Sequence, residues 1–192
     1  WMRQQPVGAH MLISAVEHPS VWEAAEMLAH EGYRWDFLEV DASGIVELER
    51  LEAKLRPETA LVSVMAVNNE VGSLQPVAEL ARRDRPWKLH VDAVQAAWVG
   101  WPALQGIDLL TLSAHKVGGP VGSGCLFLRQ GLRLQPLMVG GAQEDHRRAG
   151  TSNVWAAVGL AAAMEWVARE GRQEGLRLKA LQQQLEKALG QV

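Results

Sequence analysis

The reactive side chains of this chain gather at the exits of predicted strands. His18 follows an apolar run, Asn68-Asn69-Glu70 follows another, Asp92 and Gln95 come after a third, and Ser113, His115 and Lys116 close a fourth. Ligands of open parallel sheets settle where such carboxyl ends meet. An amine and a carboxylate on separate strands, accompanied by an imidazole, amides and a hydroxyl, suit one organic cofactor well. Pyridoxal 5′-phosphate needs a lysine to bind its aldehyde as a Schiff base. It also needs a carboxylate to keep a proton on its pyridine nitrogen, which makes the ring an electron sink. Lys116 would bind the aldehyde and, once displaced by substrate, take the α-proton. Asp92 would face the ring nitrogen, Ser113 and His115 would donate to the phosphate, and His18 would stack on the ring.

Taken singly, each residue has a plainer explanation. A His-Lys pair at a strand end is commonly a solvated turn, and an aspartate there is commonly a helix cap. Asn-Asn-Glu suits a turn through the local hydrogen bonding of asparagine. His18 before Pro19 could simply end a strand, and Gly118, Gly119, Gly122 and Gly124 could serve only tight turns. These plain explanations would have to coincide at every strand end, so the combination weighs more than its members.

The elements that must position these residues follow from the hydrophobic pattern. "HMLISAVEH", "YRWDFLEV", "ALVSVMAV", "KLHVDAV", "DLLTLSAHK" and "GCLFLR" read as strands, several of them continuous apolar runs typical of burial on both faces. Between them lie helical patterns: "SVWEAAEMLAHEG" behind Pro19, the segment with Leu48, Leu51 and Leu55, and "PVAELARRD". From "TSNVWAAVGLAAAMEWVAREG" onward the pattern is helical, with "LRLKALQQQLEKALG" as an amphipathic final helix. Alternation of this kind predicts an α/β domain with a mainly parallel sheet, helices on both faces and a helical C-terminal exit.

Composition narrows the function classes. The 192 residues suffice for one domain with a core, and a net charge of −3 argues against nucleic-acid or membrane-surface partners. No apolar run approaches the ~20 residues of a membrane span. The start lacks a signal-peptide core, and a lone Cys125 excludes a disulfide framework, so a cytoplasmic protein is expected. No metal site is expected. The abrupt opening at Trp1 suggests a fragment.

Five blocks carry a resemblance: "EH" at 17–18, "VSVMAVNNEVGSLQPV" at 62–77, "HVDAVQ" at 90–95, "LSAHKVGGPVGSGCLFLR" at 112–129 and "GGAQEDHRRAGTSN" at 140–153. In order and spacing they resemble the cysteine desulfurases, in the class V group of the fold-type I pyridoxal-phosphate enzymes. The likeness extends over roughly residues 10 to 190. It implies a seven-stranded-type sheet, with residues 1–192 forming part of the cofactor-binding large domain. It implies catalytic roles for Lys116 and His18, and cofactor contacts from His18, Asn69, Asp92, Gln95, Ser113, His115 and Lys116. Gln95 would bond the phenolic oxygen, and Asn69 would sit near that oxygen and the substrate carboxylate. Thr151 would reach the phosphate of a neighbouring subunit in a homodimer, with Arg148 at the interface.

The implied reaction converts L-cysteine to L-alanine and passes sulfur to an enzyme cysteine as a persulfide, then on to an acceptor protein such as one of iron–sulfur cluster assembly. Other class V enzymes remain as alternatives: a selenocysteine lyase, an epimerase or an aminotransferase. So does a catalytically inactive remnant of the fold. The family's upstream glycine- and threonine-containing phosphate loop has no counterpart in residues 1–10. Its persulfide cysteine and substrate-carboxylate arginine are expected downstream of this chain. Cys125, inside an alternating strand pattern, is expected to be a small buried core residue. Ala142 stands where a third glycine is common.

Overall fold

The computed structural model describes residues 1–190. In chain order it holds β1 (His10–Ser14), α1 (Pro19–His30), β2 (Arg34–Leu38), α2 (Leu48–Lys54), β3 (Thr59–Ser63), α3 (Val77–Arg82), β4 (Lys88–Asp92), β5 (Leu109–Ser113), β6 (Gly124–Leu128), α4 (Gln143–His146) and α5 (Val154–Leu189). The strands form one sheet in the order β2-β1-β3-β4-β5-β6. The first five run parallel, and β6 runs antiparallel to β5.

All five residues of β1 are buried, because both sheet faces are covered there. Met11 and Ile13 point to the face where Val21, Trp22, Ala25 and Leu28 of α1 pack. Leu12 points the other way and joins Val62, Leu89, Leu51 of α2 and Leu80 of α3. Those five side chains are wholly enclosed, each contributing about 1.5–3 kcal/mol of apolar burial. α1 begins where predicted. Pro19 takes its first position, and the His18 ring accepts the Ser20 amide as the cap.

α5 is one continuous helix of 36 residues, where the sequence pattern suggested a separate final segment. Its Leu160 and Val167 pack on Ala97, Ala114 and Val117, the apolar sides of two short 3₁₀ turns that follow β4 and β5. A Cβ on Gly175 would lie 2.5 Å from the Trp98 carbonyl oxygen, so the close approach of α5 to the first turn requires glycine. Further along, Leu176, Leu178, Leu181 and Leu185 are exposed.

Two expectations need correction. Among the described residues the sheet has six strands, one fewer than the implied seven-stranded type. Cys125 is exposed, not a core residue. It stands on β6, the edge of the sheet, where an alternating pattern no longer guarantees cover on either face. From β1 across to β6 the α1 side of the sheet opens into an apolar cleft of about 460 Å³, with Met11, Leu61, Leu109 and Leu126 in its walls.

Candidate active site

The strand order reverses at β1, so chain leaving β1 goes one way to β2, and later chain the other way to β3, β4 and β5. Such a reversal leaves a crevice beyond the carboxyl ends of the strands. Here the crevice is a cavity of about 340 Å³ lined by His18, Asn69, Asp92, Gln95, Ser113, His115 and Lys116, together with Ser20, Met65 and Val94. All seven residues expected around the chain's own cofactor position line it. Thr151, expected at a neighbouring subunit's phosphate, lies outside this cavity, exposed in the loop between α4 and α5. Arg148 is exposed in the same loop, just past α4, whose Glu144, Asp145 and His146 all hold positive φ, a conformation rarely adopted by residues other than glycine.

Local structure decides how each side chain is presented. His18 spends Nδ1 on the Ser20 amide at 3.2 Å and lies 2.9 Å from the Ser20 hydroxyl. This fixes the ring at the helix start. Asn68 and Asn69 part company: Asn68 is buried, donates Nδ2 to the Val16 carbonyl at 2.8 Å, and accepts the Glu70 and Val71 amides at 2.9 and 2.8 Å. That ties the loop down and leaves Asn69 free at the cavity. Gln95 precedes the first 3₁₀ turn without a side-chain cap bond, so its amide also remains available.

Asp92 is the buried acid of the cavity, only 8 % exposed. Burial pushes its carboxyl up, while the Val94 amide, 2.9 Å from Oδ1, and the His18 side chain draw it back down. Lys116 lies beyond β5 on the second 3₁₀ turn, Ala114–Val117, and is exposed towards the cavity. Ala114 and Val117 anchor that turn against α5. Gly118 ends it at φ 83°, a left-handed conformation that reverses the chain at once after Val117. Ser113 Oγ is 2.9 Å from His115 Nδ1, so the two polar groups stand together beside the amine. The larger apolar cleft shares Ser20, Asp92 and Val94 with this cavity but has no lysine in its walls.

This geometry has close counterparts. The family model "Aminotransferase class-V" matches residues 1–192. The chain belongs to the class V aminotransferase family. A curated relative, cysteine desulfurase IscS 1 of Archaeoglobus fulgidus, is 41 % identical over 189 residues, which is 96 % of this chain and 49 % of the relative. A solved structure described as a NifS-like protein superposes with a TM-score of 0.93 at 34 % identity, covering 99 % of this chain and 54 % of that one. Another, described as SspA in complex with cysteine, gives a TM-score of 0.80 at 34 % identity over 85 % of this chain and 49 % of that one. The chain spans about half the length of the curated relatives it matches.

Class V enzymes use pyridoxal phosphate, and the donor set of the cavity fits that group. Asp92 Oδ1 is spent on Val94, and Oδ2 accepts no hydrogen bond among the described residues, leaving one acceptor for one ring N–H. Lys116 has no ion-pair partner among the described residues. Two further members of this neighbourhood lie inside the resemblance blocks, "EH" and "VSVMAVNNEVGSLQPV", without an expected role. Met65 lines the cavity, and Glu17 lies buried behind it with its carboxyl on the Met65 amide. A glutamate at a strand exit reads as a surface residue until its cover is known.

Proposed function

We propose that the protein is a pyridoxal-phosphate-dependent cysteine desulfurase and that residues 1–192 form part of its cofactor-binding large domain. The observation that carries this is the joint presence of Lys116 and Asp92 in the wall of one 340 Å³ cavity at the sheet's reversal point. When bound, the cofactor supplies an aldehyde that captures amino groups and a protonated ring that withdraws electrons from the substrate α-carbon.

The chain's own residues then divide the work. Lys116 holds the cofactor and, once freed, takes the α-proton of L-cysteine. Asp92 keeps a proton on the ring nitrogen; a cation opposite it offsets the burial that pushes its carboxyl up. His18, fixed by its bond to Ser20, stacks on the ring and assists proton transfer. Gln95 and Asn69 hold the phenolic oxygen and the substrate carboxylate. Ser113 and His115 hold the phosphate, and Thr151 reaches the phosphate site of the second subunit of a homodimer.

Overall, L-cysteine and an enzyme thiol become L-alanine and an enzyme persulfide, whose sulfur goes to an acceptor protein. Cys125 is not that thiol. It stands on β6 outside the cavity, and burial of part of its side chain, then the Glu144 charge, push its thiol up and away from the reactive thiolate. Among the described residues no helix is long and apolar enough to cross a membrane.

Titrating the purified protein with pyridoxal phosphate tests the proposal. The expected result is a visible absorption band of bound cofactor that Lys116→Ala abolishes. A spectrum of free cofactor only, with or without the substitution, overturns it and favours the inactive remnant. Release of a product other than alanine from the loaded protein favours another class V reaction.

A further inference from the structure

Glu17 lies three residues past the end of β1 and two before the start of α1, and it is only 6 % exposed. Buried carboxyls need hydrogen-bond partners. Its Oε1 has two: the Ser14 hydroxyl at 3.1 Å and the Met65 amide. Its Oε2 is enclosed and has no partner among the described residues. Glu17 therefore joins two strand exits, the one after β1 that carries His18 and the one after β3 that carries Met65 and Asn69. His18, Met65 and Asn69 all line the 340 Å³ cavity. The bond from Asn68 to the Val16 carbonyl fastens the same two segments one step away.

We propose that Glu17 is a positioning residue of this site: its carboxyl brackets the β1 and β3 exits and so sets His18 and Asn69 on either side of the cofactor position. It does this as a neutral acid. Burial, and then the charge of Asp92 on β4, push Glu17 up to about 8, against the pull of Ser14 and the Met65 amide. Of the charged groups around it, Asp92 is the one whose field reaches it. An ionised Glu17 would add a second negative charge beside Asp92 in a poorly solvated wall. With Oε1 accepting two hydrogen bonds, the proton belongs on Oε2.

What the bracket serves rests on the cofactor assignment above, but the bracket itself can be tested without cofactor. Glu17→Gln and Glu17→Leu are compared with the native protein by hydrogen exchange at the Met65 amide in the cofactor-free state. Cofactor affinity is then measured from the visible absorption. Gln keeps an acceptor at Oε1, and both quantities stay within about threefold of native. Leu has similar bulk and no acceptor, and leaves a buried amide unpaired; exchange at Met65 quickens and cofactor affinity falls, each by about 10-fold or more. Unchanged exchange and affinity in Leu, or Gln as impaired as Leu, overturns the proposal.

Should the Leu protein not fold, infrared difference spectra of native against Gln decide. A protonated-carboxyl band at neutral pH in native alone supports the neutral bracket, and its absence overturns it. A native protein that takes up no cofactor, yet shows the expected Met65 pattern, refutes the cofactor assignment and leaves the bracket standing.

Discussion

The two ends of the sheet differ in how far their ionisable groups are paired with opposite charges. At the amino end, His10 opens β1 fully enclosed, with Nδ1 2.8 Å from Thr59 Oγ1 and Nε2 3.2 Å from Asp36 Oδ2. Asp108, just ahead of β5, accepts the Leu89 amide at 2.9 Å and pairs with Arg85 at 2.7 Å and Arg129 at 3.1 Å. Its burial favours the neutral form, but the Leu89 amide and Arg85 outweigh this and hold the carboxyl below the usual range. At the carboxyl end, Asp92 and Glu17 are both pushed up by burial, and Lys116 stands without an ion-pair partner among the described residues. Paired polar groups hold a fold together; hydrogen-bonding capacity left over is what a ligand can use.

Substitutions at the two ends should therefore behave differently. The largest effect is expected at the amino end. Asp108→Ala strands the buried Arg85 guanidinium and should cost about 3–5 kcal/mol in urea unfolding. An Asp108→Ala protein as stable as native would break the contrast.

Next comes the pH dependence of the carboxyl end. Glu17 is raised above its ordinary 4.5, so the folded state holds its proton more tightly than the unfolded state. The stability this provides is complete below 4.5 and is lost as pH rises towards about 8. The slope for one such proton approaches about 1.4 kcal/mol per pH unit. Thermal unfolding of cofactor-free protein from pH 5 to 9 should show this decline, and Glu17→Gln should flatten it.

Asp92→Asn should sharpen the contrast further. Without cofactor it should leave stability unchanged or raise it by about 0.5–2 kcal/mol, while weakening cofactor retention. Lys116→Ala should have the smallest effect, within about 0.5 kcal/mol of native stability. A substantial loss of stability there would mean that the lysine serves the fold.

Much of this contrast could be read from residue order, and some of it could not. Continuous apolar runs such as "ALVSVMAV" mark strands because only burial on both faces tolerates them. The strand exits that follow are then the natural place to look for His18, Asp92 and Lys116. The direction of β6 was also within reach. Residues 114–123 are too few for a crossover to a parallel neighbour, so the strand had to return antiparallel. The roles of Asn68 and Asn69 were not separable, because a loop has no period to say which amide points inward. The burial of Glu17 and the exposure of Cys125 depend on what other segments lie across them. Local pattern carries no record of that.

The cavity walls come from segments that follow β1, β3, β4 and β5, so no pair of neighbouring strands outlines the site alone. Helices such as α5 form in well under a millisecond, whereas pairing strands distant in sequence is the slow part of building an α/β protein. During refolding in the presence of pyridoxal phosphate, colour should therefore lag behind the return of helical signal and keep pace with completion of the sheet. The coenzyme would then serve as a built-in chronometer for the last stage of assembly.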